Sequence, residues 1–117
     1  MTSEKIVLFA FRGEPLCFIH VLLNALDLHD RGLEGKIVIE GDAVKLVPLM
    51  SKEGHFLEPL YRQAKEKGLI VAACKACSAK LNVTEAVLEE GLPLVGHIAG
   101  HPAMGKFIEQ GYRIITF

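Results

Sequence analysis

The sequence predicts an α/β protein in three layers, α/β/α, built on a five-stranded parallel sheet. Three observations carry the prediction. Ile6-Val7-Leu8-Phe9-Ala10-Phe11 and Leu69-Ile70-Val71-Ala72-Ala73 are continuous apolar runs, as in strands covered on both faces. Segments of helical length fall between the apolar runs, so strand and helix alternate along the chain. At 117 residues, half of them hydrophobic, the chain has material for one domain with its own core, and residues 1–117 are read as a single domain.

Each element follows from local signals. Arg12-Gly13 breaks the first strand, and Pro15 suits a first helical position, with Glu14 ahead of it at the positive helix start. Residues 16–28 then read as a long, mostly buried helix, ended by Asp30-Arg31-Gly32. Residues 36–40 form a second strand, after which Asp42 is placed to cap a helix over 43–50. Leu57, Leu60, Tyr61 and Ala64 share one face of a helix over 56–67, and Gly68 stops it. The third strand, 69–73, runs into Cys74. Short helices follow over 75–81 and 84–88, then a minimal strand at Leu94-Val95, a last helix over 102–110, and a closing strand over 112–117. Five strands of this kind commonly take the flavodoxin-like order 2-1-3-4-5, whose ligand crevice opens between strands 1 and 3 at their carboxyl ends.

That order places Cys74 on the rim of the crevice with Arg12 across from it. Cys74 also precedes a helix start, where unpaired N–H groups favour thiolate over thiol, and Arg12 and Lys75 would add to the effect. The sulfur is therefore expected to be ionised and reachable. Cys77 lies one helical turn on, so the pair makes a Cys-x-x-Cys at a β–α junction, the layout of a thiol redox motif. A single cysteine there would read as a small core residue, and Cys17, between Leu16 and Phe18, is read that way. The loop Gly96-His97-Ile98-Ala99-Gly100-His101-Pro102 ends the fourth strand. Its glycines allow a turn, and an imidazole of the loop, with His97 taken as the candidate, either relays a proton to Cys74 or, like His101, merely caps or faces solvent. Glu40 and Asp42 read as structural, because Asp42 has a capping role.

Composition excludes several classes. Thirteen basic against 14 acidic residues leave a net charge of −1, with no basic run and no Trp, so direct nucleic-acid binding has no support. No apolar stretch reaches the length of a membrane span. Three cysteines without a spaced framework do not describe a disulfide-stapled secreted domain, and Met1-Thr2-Ser3-Glu4-Lys5 lacks the features of a signal peptide. A cytoplasmic protein is expected. No Gly-x-Gly-x-x-Gly or phosphate loop occurs, so no nucleotide cofactor is expected. The competing chemistry is zinc: Cys74-x2-Cys77, then 19 residues, then His97-x3-His101, supplies two thiolates and two imidazoles. A domain with this much core needs no structural metal, and the leading reading includes no cofactor or metal. A structural subunit with inert cysteines is a further alternative.

The first apolar strand, the segment Glu40-Gly41-Asp42-Ala43-Val44-Lys45-Leu46, the run Ile70-Val71-Ala72-Ala73-Cys74 followed by Val83, and the closing strand together resemble the DsrE/DsrF-like sulfur-relay proteins. The resemblance covers essentially the whole chain. It implies a homo-oligomer that carries sulfane sulfur as a persulfide on one cysteine at the end of a central strand. Cys74 matches that position. It also implies transfer between sulfur donors and acceptors, either proteins or small sulfur compounds. The chain departs from the single-cysteine pattern in having Cys77, and in having Lys80-Leu81-Asn82 where relay members often carry a basic pair and glycine.

Overall fold

The computed structural model describes residues 4–117, so the reading of the first three residues lies outside it. β1 (Lys5–Ala10) leads to α1 (Pro15–Asp30) and β2 (Glu34–Ile39). A 3-10 segment (Gly41–Leu46) runs directly into α2 (Val47–Met50), followed by α3 (Glu58–Glu66) and β3 (Ile70–Cys74). Then come α4 (Lys75–Lys80), α5 (Thr84–Glu89), β4 (Leu94–Val95), α6 (Met104–Glu109) and β5 (Tyr112–Thr116). Every predicted strand and helix has its counterpart, with ends shifted by a few residues. One local expectation fails: Asp42 does not cap a helix. Glu40 occupies the cap position without a side-chain bond, and Asp42 sits in the first turn, 3.8 Å from Lys45.

All strand pairs are parallel, and the sheet order is β4-β3-β2-β1-β5. This corrects the predicted order 2-1-3-4-5. Strand identity is written in the apolar pattern of each segment, whereas strand order depends on which edges meet, and no periodicity encodes that. In the observed order the chain steps one strand at a time from β1 to β4 and then returns past β1 to place β5. Right-handed crossovers put the helices of the stepwise part on one face and the helix of the return on the other.

The core divides accordingly. Ile6, Leu8, Ala10, Ile37 and Ile39 join the large cluster with residues of α1, the 3-10 segment, α2, α3 and α5. Val7, Phe9, Val38 and Ala72 form the smaller cluster, which Phe107 of α6 covers. The alternation along β1 is the period-2 pattern of a strand buried on both sides. The layers are therefore unequal. α6 has no buried residue and holds the second face mainly through Phe107, whose ring lies 5.6 Å from Phe9 and 5.8 Å from Tyr112, edge to face in both cases. Among the described residues, no helix is long and apolar enough to cross a membrane.

Candidate functional site

Strand order decides what surrounds Cys74. Ile39 pairs with Ala73 and Cys74 with Val95, so Glu40, just past the end of β2, flanks Cys74 on one side. The loop leaving β4 flanks it on the other. Arg12 is not across from Cys74, as the predicted order required. β2 stands between them, and Arg12 instead borders an open pocket of about 440 Å³ between the ends of β1 and β5, with Cys17, His20 and Phe117. The point where strand order reverses, where open sheets bind ligands, is thus at that pocket and away from the cysteine pair. Lys75 is exposed on α4.

Cys74 caps α4: its backbone is extended (φ −62°, ψ 121°), and its Sγ accepts from the Cys77 N–H at 3.4 Å. Cys77 follows on the first turn of α4, half-buried, and opens onto a separate cleft beside Gly41, Asp42 and Lys80. His101 arrives by a two-residue reversal. Ile98 and His101 pair as an antiparallel bridge, each N–H donating to the other's carbonyl at 2.9 and 2.7 Å. Ala99 and Gly100 between them have φ of +48° and +86°, the positive pair a type I′ turn demands. The Gly100 carbonyl accepts from the Ala76 N–H at 2.8 Å, and a Cβ on Gly100 would come within 2.9 Å of the Ala76 Cβ. Glycine is what lets this loop lie against α4. His97 is committed to the loop itself, since its Nδ1 accepts from the Ala103 N–H at 3.0 Å.

Four side chains converge here. His101 Nδ1 lies 3.1 Å from Cys74 Sγ, 3.7 Å from Cys77 Sγ and 3.6 Å from Glu40 Oε1. The Cys74 thiol also makes a weak contact with the Gly100 carbonyl at 3.7 Å. Cys74 is fully buried and Glu40 only 9% exposed, whereas the His101 side chain is 42% exposed. A groove of about 690 Å³ lined by Phe11, Glu40, Ile98, His101 and Met104 runs past the imidazole.

These surroundings reverse the expected state of the sulfur. Burial pushes the Cys74 thiol up to about 12; the Cys77 N–H draws it down, while the Cys77 thiol and the Glu40 carboxylate push it further up. A group with that pKa is protonated at neutral pH, so the ionised, freely reachable thiolate is not the resting state. The helix start acts as predicted, but it is outweighed by burial and by an anionic neighbour. The site is nevertheless not a sealed apolar interior, because the sulfur touches the imidazole of His101, a partly exposed side chain that borders the groove. Burial likewise raises the Glu40 carboxyl, which the charge of His101 partly offsets.

Glu40 is the residue the sequence reading passed over. Its signal was its place at a strand end before Gly41, a glycine with φ +56°, but only the adjacency of β2 and β3 gives that place meaning. The expected relay residue was His97, and the structure places His101 at the sulfurs instead. The hydrogen bond from Ala103 to His97 separates them.

The DsrE/DsrF-like family matches residues 6–117. An uncharacterized protein of Methanocaldococcus jannaschii is 34% identical over 97 residues, which are 83% of this chain and 77% of the relative. An uncharacterized protein of Archaeoglobus fulgidus is 34% identical over 62 residues, 53% of this chain and all of the relative. A solved structure of a conserved protein of unknown function from Bacteroides thetaiotaomicron superposes with a TM-score of 0.72. It covers 97% of this chain and 95% of its own at 17% identity, a likeness of fold alone. With the match running from β1 to the end of β5, the chain belongs to the DsrE/DsrF-like family.

Proposed function

We propose that the protein carries sulfane sulfur as a persulfide on Cys74, and that Cys77 is the outward member of the pair that exchanges it. The observation that carries this reading is the convergence of both cysteine sulfurs on one imidazole nitrogen, at 3.1 and 3.7 Å. Family membership supports sulfur relay in general.

The chemistry balances without a net oxidant or reductant. His101 takes the proton of the attacking thiol, and the thiolate attacks the outer sulfur of a donor persulfide. A new S–S bond forms on the cysteine, the donor's S–S bond breaks, and the donor leaves as a thiolate that recovers the proton. Attack by Cys74 on the outer sulfur of a Cys77 persulfide moves the cargo inward by the same exchange, and the reverse step delivers it. Burial of Cys74 keeps the stored sulfur from stray thiols, and the half-buried Cys77 gives a partner access. His97, Arg12 and Lys75 have no part in this step; His97 shapes the loop that carries His101. Donors and acceptors are proteins or small sulfur compounds of the cytoplasm, and the carrier works as a homo-oligomer. Ile98 and Met104, exposed beside the groove, suit a protein surface.

The test is intact-mass measurement after incubation with a small persulfide donor under anaerobic conditions. The wild-type protein and Cys17→Ser gain the mass of one sulfur atom and keep it through a brief challenge with a small thiol; Cys74→Ser, left with only the accessible Cys77, loses its sulfur to the thiol. Stable loading of Cys74→Ser at the wild-type level refutes the assignment.

A further inference from the structure

We infer that Cys74, Cys77 and His101, with Glu40 beside them, form a site for a thiophilic d10 cation, Zn2+, and that the bound metal excludes sulfur from the same two cysteines. The first half stands on geometry alone; the second rests on the proposed sulfur-carrying role.

The ring nitrogen Nδ1 has one in-plane direction, for either a proton or a lone pair, and so serves one hydrogen bond. Three groups nevertheless crowd it within 3.7 Å: two sulfurs and a carboxylate oxygen. Hydrogen bonding uses at most one of these contacts. A cation among Nδ1 and the two sulfurs uses both sulfur contacts at once. The two sulfurs and Nδ1 all lie within 4.8 Å of one another. Zinc bonds of about 2.3 Å to sulfur and about 2.0 Å to nitrogen, at tetrahedral angles, separate S and N ligands by about 3.5 Å. The observed separations of 3.1 and 3.7 Å bracket that value.

The donor set is also chemically apt: two thiolates and an imidazole select a soft or borderline d10 ion over Mg2+ or Ca2+. Three protein ligands leave a fourth position, and Glu40, whose carboxylate lies 3.6 Å from Nδ1 and lines the groove with His101, is the neighbouring group that can influence it. This set differs from the one that spacing suggested. His97 drops out because its Nδ1 is committed to Ala103, and Glu40 enters from a strand that no Cys/His spacing includes. Each zinc-bound thiolate gives a lone pair and much of its charge to the metal, and moving sulfur between Cys74 and Cys77 needs the space that the ion fills, so the bound pair does not take up sulfur.

The experiment uses the full chain, reduced and stripped of metal, titrated with Zn2+ against a chromogenic chelator and separately with Co2+ as a spectroscopic probe. One equivalent of zinc binds, and the Co2+ form shows intense near-ultraviolet thiolate charge transfer with the visible bands of a tetrahedral ion. Cys77→Ser and His101→Ala each weaken zinc by about tenfold or more, and Glu40→Gln weakens it less. Cys17→Ser leaves binding unchanged. Circular dichroism shows that each variant is folded; His101 is partly exposed, so its removal spares the core. An octahedral cobalt spectrum without charge transfer, or zinc affinity unchanged in both Cys77→Ser and His101→Ala, overturns the site. Sulfur uptake is then compared with and without bound zinc. Uptake that stops with zinc and returns with chelator supports exclusion, and uptake indifferent to bound zinc overturns it. If metal-free protein takes up no sulfur while zinc binds as described, the carrier role fails and the metal site stands.

Discussion

Replacing Gly100 with alanine tests whether the loop after β4 is held against α4 by the absence of a side chain. Two costs are legible. Gly100 has φ +86°, and a non-glycine residue in the left-handed region costs roughly 1–2 kcal/mol. The new Cβ would lie 2.9 Å from the Ala76 Cβ, well inside an ordinary carbon–carbon contact, and overpacking of that kind costs about 1–3 kcal/mol. The loop avoids the second cost by swinging away, which breaks the bond from Ala76 N–H to the Gly100 carbonyl and separates His101 from both cysteines. The destabilisation is therefore about 2 kcal/mol, roughly 8 °C in Tm for a domain of this size. Gly105 provides the control. It lies in α6, has nothing within 4 Å of an added Cβ, and does not adopt positive φ. Alanine there stabilises by about 0.5–1 kcal/mol. The assay is thermal unfolding by circular dichroism together with peptide-resolved alkylation of folded protein at neutral pH. Gly100→Ala lowers Tm and speeds alkylation of Cys74, while Gly105→Ala raises Tm and leaves alkylation unchanged. A Gly100→Ala protein with wild-type Tm and a still-protected Cys74 refutes the reasoning, as does an equal fall in both variants.

Three further outcomes follow from other parts of the fold. In the wild-type protein, alkylation at neutral pH reaches Cys77 well before Cys74, because Cys77 is half-buried and Cys74 has no exposed surface; equal rates would contradict the burial of Cys74. Burial alone would raise the Glu90 carboxyl, but hydrogen bonds from Tyr61 at 2.5 Å and Lys65 at 3.0 Å, with the lysine's charge, hold it below its ordinary value. Its stabilisation is present above the unfolded carboxylate pKa and is lost as pH falls through the folded one. Tyr61→Phe removes about 1–3 kcal/mol at neutral pH and flattens the acid side of the Tm–pH curve, and an unaltered acid limb argues against that linkage. Phe107→Ala removes the main contact of α6 with the sheet, costs about 2 kcal/mol, and exposes amides of α6 and β5 to hydrogen exchange before those of β2 and β3. Uniform loss of protection would show that α6 is not a separable unit.

The elements were legible because each has its own local cause. β1 and β3 are apolar runs, Pro15 opens α1 at its first residue, and Gly68 and Gly111 fall just after helices. The pairing of a Cys-x-x-Cys with a strand end was equally legible, since it needs only that β3 end at Cys74 and α4 begin at Lys75. The neighbours of Cys74 were not. They come from β2 and from the loop after β4, 34 residues upstream and 27 downstream at Glu40 and His101, and sequence spacing carries no information about which strand edges meet. His97 and His101 illustrate the limit on a smaller scale. Both occupy one glycine-rich loop, and only the I′ turn at Ala99-Gly100 aims one at the sulfurs while the other binds its own backbone.

Strand order also fixed the sign of the electrostatics. With β3 beside β1, the residue facing Cys74 would have been Arg12, and a guanidinium stabilises a thiolate. With β3 beside β2, that residue is Glu40, and a carboxylate destabilises one. Burial is the larger cause of the neutral thiol, held near 12; strand order decides that the neighbouring charge adds to that effect instead of opposing it. Such a thiol reacts only when something removes its proton or replaces it. His101 at 3.1 Å is placed to do the first, and a cation among Cys74, Cys77 and His101 would do the second. Glu40→Gln separates these consequences. Removing the carboxylate's charge lowers the Cys74 pKa and should make the thiol more reactive toward an alkylating agent in metal-free protein, while weakening the hold on Zn2+. If both properties moved in the same direction, Glu40 would not act on this site through its charge.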